Sequence, residues 1–219
     1  MGRSYPRYPD GGSIGTRPLD IDGAEIVAHS VVGSPAQTVA HAVLELAPRL
    51  PDLTICGINA GENIGLALSG SGTVGGALEA AGFGIPALAV SQALPLTPGD
   101  DVGDAGDDAN AGIHFVRLFA RAILSRSLPR EAWIVNVNLP VGVTPETPIR
   151  QTVQSDQNYF DFARLVREDR AAPAPLAVAR AYDGNRLTSD SDIRAVCIDA
   201  VVSYTLLRRD MSCAVPWRP

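Results

Sequence analysis

The chain has 219 residues, 46% of them hydrophobic and 19% charged, with a formal net charge of −6 at pH 7. That is enough apolar material for one domain-sized core, and the negative balance argues against wrapping nucleic-acid polymers or adhering to anionic membranes. No apolar run approaches the roughly 20 residues of a membrane span and the polar start is no signal peptide; with Cys56, Cys197 and Cys213 odd in number and far apart, as reduced thiols are, the expectation is a cytoplasmic protein.

Residues 1–23 are rich in Gly, Pro, Arg and Tyr and show no period, which predicts an irregular arm. Residues 25–32 alternate loosely and end in Val31-Val32, a strand pattern that places His29 as an ordinary, partly buried strand residue. Ser34-Pro35-Ala36-Gln37 spells a capping box with proline at the first helical position. The helix it opens runs to about Leu46, with an apolar stripe of Val39, Val43, Leu44 and Leu46, and Pro48 stops it. The short apolar run at residues 53–56 fits a parallel strand covered on both faces.

After residues 57–74, a helix from Thr73 to about Ala81 presents small residues, with Glu79 directed to solvent or to a pocket edge. Phe83-Gly84-Ile85-Pro86 turns the chain into a strand at 87–91. Residues 92–108 form a long loop with the acid pairs Asp100-Asp101 and Asp107-Asp108, read as solvated loop and helix N-terminus. Apolar residues recurring at three- and four-residue steps predict a helix over 109–125, and residues 133–140 a strand carrying Asn136 and Asn138. Further on, residues 147–153 read as a strand, 154–162 as a polar-aromatic segment, 171–180 as a linker, and Val201-Val202-Ser203-Tyr204-Thr205 as the start of a last strand.

The chemistry concentrates in residues 57–74, GINAGENIGLALSGSGTV. Glycines at 57, 61, 65, 70 and 72 allow sharp turns and close approach to a ligand. Asn59 and Asn63 carry short amides that can ligate a hard cation or bond a phosphate. Ser71-Gly72-Thr73 stands at a helix start, where free N–H groups and the positive dipole end favour an anion. The spacing matches neither a Walker loop nor a dinucleotide fingerprint. Cys56, just before the segment, reads as a small buried residue rather than a nucleophile, with no base near it in sequence.

Gly57-Ile58-Asn59-Ala60-Gly61-Glu62-Asn63-Ile64-Gly65, then Ser71-Gly72-Thr73-Val74, then Gly84-Ile85-Pro86-Ala87-Leu88-Ala89-Val90-Ser91, resemble the SurE family in order and in gaps. These are metal-dependent 5′/3′-nucleotidases acting on nucleoside monophosphates. The resemblance implies a Rossmann-like three-layer α/β fold with a mostly parallel sheet, formed by residues 24–219 with a β-rich C-terminal extension from about residue 141. It implies Asn59 as a ligand of a divalent cation, Mg²⁺ or Mn²⁺, and Asn63, Ser71, Gly72 and Thr73 as the lining of a phosphate pocket. It implies homo-oligomers, dimers or tetramers, with residues 154–162 in the region of the contacts, where Tyr159, Phe160 and Phe162 either serve in them or pack on their own subunit.

The family opens with a strand ending in Asn-Asp-Asp-Gly, whose aspartates hold the metal, and takes a further ligand from a later Ser-Gly loop. This chain begins Met1-Gly2-Arg3-Ser4-Tyr5, similar to the sequence that follows that loop, so no catalytic residue is assigned in it. Two expectations follow. The first is a metal-dependent phosphomonoesterase of nucleoside monophosphates; the second is an N-terminally shortened, catalytically incomplete homologue that binds phosphate, nucleotide or partner subunits without turnover.

Overall fold

A computed structural model describes residues 4–5, 10–95, 109–125, 128–162, 167, 169, 171–174 and 178–212. The chain opens with an antiparallel hairpin, β1 (Ile14–Ile21) and β2 (Ala24–Val31). Its turn is Asp22-Gly23, with φ of 53° and 79°, the two left-handed residues that a type I′ hairpin requires. The expected irregular arm is therefore wrong over Ile14–Ile21. Pro18 sits within β1 and hides the strand from a pattern reading, yet a two-stranded ribbon has edges on which proline is tolerated. His29 lies on the exposed side of β2, with Thr16 Oγ1 2.9 Å from its Nδ1, rather than partly buried.

Helix α1 (Pro35–His41) starts at the capping box. Ser34 Oγ accepts from Gln37 N at 3.2 Å, and Gln37 Oε1 accepts from Ser34 N at 2.9 Å. A π-helical turn, Ala42–Leu46, continues it, leaving Leu44 70% exposed and outside the apolar stripe expected of it. Then come β3 (Thr54–Ala60), a 3₁₀ turn (Gly65–Gly70), α2 (Gly72–Gly82), β4 (Ala87–Gln92), α3 (Ala109–Ser125), β5 (Ile134–Leu139) and β6 (Ile149–Thr152). The chain ends in β7 (Phe160–Phe162), β8 (Val178–Arg180), α4 (Asp192–Cys197) and β9 (Val202–Leu207). Part of the expected linker over 171–180 is thus strand β8, paired with β7.

The main sheet has the order β3-β4-β5-β9-β6. β3, β4 and β5 run parallel, β9 is antiparallel to β5, and β6 is parallel to β9. One face packs on α3 through Leu88, Val90, Val135, Val137 and Phe115, and the other on α2 through Ala87, Ala89, Ile134, Val74 and Ala77. Helix on sheet on helix is the three-layer α/β architecture expected, with β strands dominating the C-terminal part.

β4 and β5 are buried along their whole length, as central parallel strands are. β3 is not. It is the terminal strand of the sheet, and Ile55 on it is 44% exposed, so the expectation of a strand covered on both faces fails there. Gly76 of α2 explains how close the helix lies to β3: a Cβ at that position would come within 3.1 Å of Cys56 Sγ. The small-residue helix face thus has a packing reason. Glu79 is buried (5% exposed) and accepts a hydrogen bond from the Tyr5 hydroxyl, not directed to solvent, because a residue 74 positions earlier reaches it.

Candidate functional site

The glycine-rich segment is less of a loop than its composition suggests. Gly57, Ile58, Asn59 and Ala60 belong to β3, residues 65–70 form the 3₁₀ turn, α2 starts at Gly72, and only residues 61–64 and the N-cap Ser71 lack regular structure. Gly57 has a φ of +120°, and a Cβ there would lie 2.2 Å from the Val90 carbonyl oxygen. Glycine is therefore required by close approach between strands. The ladder with β4 shifts register between Cys56 and Asn59, after which Asn59 faces Ser91.

Three strands end at one level here. Asn59 pairs with Ser91, Ser91 with Asn138, and Asn138 with Ser203. This row lies toward the carboxyl ends of the parallel strands β3, β4 and β5, where open α/β sheets bind ligands. Asn63 settles onto it. Its N–H donates to Asn138 Oδ1 at 2.7 Å and its carbonyl accepts from Asn138 Nδ2 at 3.1 Å and from Asn136 Nδ2 at 3.0 Å. Its own side-chain Nδ2 donates to Ser91 Oγ at 2.6 Å. Asn59 Nδ2 donates to the Gly61 carbonyl at 2.7 Å, which pins the turn that leads into residue 63.

The polar belt extends across the sheet. Thr152 Oγ1 lies 2.7 Å from Ser203 Oγ and 2.8 Å from Thr205 Oγ1, all three buried. Asn136 Oδ1 is buried with no hydrogen-bond partner among the described residues. Paired asparagines two apart in an otherwise apolar strand were the available signal, since asparagine is depleted in strands. Ser203, Thr205 and Thr152 gave none, because serine and threonine in a strand look like ordinary surface residues.

Ser71 is the N-cap of α2, and its Oγ accepts from Val74 N at 3.1 Å. Gly72 and Thr73 form the first turn, whose N–H groups have no partner inside the helix. The structure thus places Asn59 and Asn63 together on Ser91, and Ser71, Gly72 and Thr73 together at the start of α2. The Ser71 hydroxyl is engaged in capping.

The C-terminal extension holds the segment from its other side. Glu62, 6% exposed, accepts from the buried Tyr159 hydroxyl and from Arg180 Nη2 at 2.8 Å. The Arg180 guanidinium lies 5.5 Å from the Tyr159 ring centroid, within cation–π range, and Tyr182 stacks on Tyr159 at 6.0 Å. The Gly65 N–H donates to Asp192 Oδ2 at 2.9 Å, and the Gly65 carbonyl accepts from Gln154 Nε2 at 2.9 Å. Burial raises the Asp192 carboxyl against the lowering pull of the Gly65, Ser155 and Ile193 N–H groups. Sequence reasoning assigned none of Glu62, Tyr159, Arg180 or Asp192 to this site, because each acts across a long sequence separation.

Two thiols are chemically quiet. Burial pushes Cys56 up to about 11 and, as the largest cause, Cys197 up to about 11, so both stay protonated at neutral pH; Cys56 packs against the α2 side of the sheet but is only partly buried on the edge strand, not the buried residue expected. The residues do not fit a divalent metal on their own. Among the described residues there is no group of three or more His, Cys, Asp or Glu that could hold one, while a hard cation normally draws on carboxylates. Asn59 offers one amide oxygen. The acid pairs at 100–108 lie outside the described residues. No helix among the described residues is long and apolar enough to cross a membrane.

Comparison with known proteins agrees with this architecture. The sequence pattern of the family described as survival protein SurE matches residues 11–161. The chain is 38% identical over 159 residues to the 5′-nucleotidase SurE of Methanosarcina mazei, covering 70% of this chain and 58% of that protein. It is 40% identical over 194 residues to the 5′-nucleotidase SurE of Methanocella arvoryzae, covering 85% and 70%. The crystal structure of the SurE protein from Aquifex aeolicus superposes with a TM-score of 0.67 at 24% identity, covering 97% of this chain and 79% of that one, a likeness of fold. The chain spans 58% of the length of the Methanosarcina mazei relative.

Proposed function

This chain belongs to the survival protein SurE family, and from that premise we propose that it is a phosphomonoesterase-type protein that binds nucleoside monophosphates by their phosphate at the start of α2. One observation carries the reading. The first turn of α2 follows, through the 3₁₀ turn at Gly65–Gly70, a segment whose backbone is gripped at Asn63 by Asn138 and Asn136. A helix N-terminus attracts an anion through its free N–H groups and dipole, which gives a protein of net charge −6 local positive potential. Gly72 and Thr73 N–H groups would hold phosphate oxygens, and Asn63 would orient the ester. The names of the relatives, 5′-nucleotidase SurE, support hydrolysis to nucleoside and phosphate.

The reaction implied by the family resemblance uses a divalent cation, Mg²⁺ or Mn²⁺, to activate water and neutralise charge, with Asn59 as one ligand. The described residues supply no carboxylate set for it, so the phosphate-binding reading stands on α2 and Asn63 alone. That mismatch favours a second reading, binding of phosphate or nucleotide without turnover. The test is release of phosphate from 5′-AMP with and without Mn²⁺, alongside calorimetric titration with inorganic phosphate. Mn²⁺-dependent release supports hydrolysis, binding without release supports the second reading, and the absence of both binding and release sinks both readings. We further expect a cytoplasmic homo-oligomer, dimer or tetramer; a purely monomeric sedimentation profile would overturn that.

A further inference from the structure

We propose that Arg180 is a positioning residue for phosphate binding, acting through its ion pair with Glu62 to hold residues 61–65 in register over the sheet; this rests on the phosphate-binding reading above. Residues 61–64 have no regular structure, so their shape is set by what they touch. On the sheet side the grip is the Asn63 peptide, held by Asn138 and Asn136. On the other side it is the Glu62 side chain, only 4% exposed and bonded to Arg180 and Tyr159. Arg180 belongs to β8, which with β7 forms a separate two-stranded ribbon. It thus links that ribbon to the segment carrying Asn63.

The charge balance makes the link consequential. A buried carboxylate that loses its cation is an uncompensated charge, which costs far more than the pair contributes. Without Arg180, Glu62 can regain solvation only by turning outward. Residue 62 is peptide-bonded to residue 63, so that movement pulls the Asn63 peptide from Asn138. The Arg180 guanidinium also donates to the Leu94 carbonyl at 3.4 Å, which ties the segment following β4 to the same point. Tyr159, fully buried, cannot replace the cation, because it supplies one neutral donor.

The 219-residue chain carrying Arg180→Met, Arg180→Lys, Glu62→Gln, and Glu62→Gln with Arg180→Met tests this. Inorganic phosphate is the probe, read as Kd by calorimetry, with kcat and KM for 5′-AMP where turnover occurs. Arg180→Met is expected to raise Kd and KM at least 10-fold with kcat within about threefold, and Arg180→Lys to restore most of the affinity. The double variant, which carries no uncompensated carboxylate, is expected to bind better than Arg180→Met alone. Arg150→Met, which breaks the Arg150–Asp199 pair elsewhere, is expected to bind as wild type.

Amide hydrogen exchange over residues 61–66, measured without ligand, is expected to accelerate at least 10-fold in Arg180→Met. Unchanged exchange overturns the clamp itself, and faster exchange with unchanged Kd overturns its role in binding. A wild-type chain that binds no phosphate sinks the functional reading and this inference with it. A wild type that binds, beside an Arg180→Met that binds equally well, sinks only the inference.

Discussion

Asn138 holds the peptide of Asn63 by both of its polar groups, accepting from the N–H at 2.7 Å and donating to the carbonyl at 3.1 Å. One side-chain amide thereby does for an irregular segment what a neighbouring strand does within a sheet. The carbonyl has a second donor in Asn136, while Asn138 is the acceptor for the N–H. Replacing Asn138 by leucine, of similar volume, should therefore strand a buried N–H. Leaving such a donor unsatisfied costs about 1–3 kcal/mol, and urea denaturation should show a loss of that size. Phosphate affinity should fall with it, because Asn63 would no longer be fixed. Unchanged stability would mean that water or a neighbouring group takes over the N–H.

Gly57 is the strand residue least open to substitution. Its φ of +120° is unfavourable for any L side chain, and a Cβ would sit 2.2 Å from the backbone oxygen of Val90. Backbone, unlike a flexible side chain, cannot step aside without opening the β3–β4 ladder. Gly57→Ala should destabilise the fold by roughly 2–4 kcal/mol, read as a lower midpoint in urea or heat. Gly84 is also at positive φ, but a Cβ there would meet nothing within 4 Å. It should tolerate alanine better, losing only the conformational term. A reversed order would contradict the close approach of the two strands.

The elements easiest to read from sequence are those whose stabilising contacts are local. The Ser34–Gln37 capping box needs four consecutive residues, and the structure forms it with both bonds. The helix at Ala109–Ser125 follows from periodicity alone. The hairpin illustrates the opposite failure. Asp22-Gly23 is a strong turn signal, but Pro18 and the polar residues around it mask β1. At the site, Asn63 is recognisable from its segment, whereas its partners Asn136 and Asn138 lie more than seventy residues away. Glu62 looks like a surface acid until Arg180, 118 residues later, makes it a buried one. Pairings that distant leave no mark on any local pattern.

Ser71 separates helix capping from anion binding. Its hydroxyl caps α2 by accepting from Val74 N, and aspartate caps helices about as well as serine. Ser71→Asp should therefore leave the thermal midpoint within a few degrees of wild type. The same carboxylate would stand at the proposed phosphate position and repel it. Phosphate affinity should drop at least 10-fold, or to below detection by calorimetry. Ser71→Ala should behave the other way, losing about 1 kcal/mol of stability while retaining more of the affinity. If Ser71→Asp binds phosphate as wild type does, the anion does not sit at the start of α2.

Asp199 provides a pH test independent of the site. A hydrogen bond from Arg150 holds its carboxyl below the usual range, desolvation opposes that, and Arg194 at 3.4 Å adds to the lowering. A carboxylate whose folded pKa is depressed binds protons more readily unfolded than folded. Its contribution is therefore complete above the ordinary carboxylate value, and it disappears as pH falls through the folded pKa. Asp192 has the opposite sign. Burial raises it, so its contribution to stability is greatest at acid pH and declines as pH rises from the unfolded value through the folded one. The margin of wild type over Asp199→Asn, measured by urea denaturation, should hold steady from pH 7 to about 5 and shrink below about 4. For Asp192→Asn the margin should instead widen toward acid pH. Parallel pH profiles for the two variants would show that the Arg150 pair does not set the Asp199 titration.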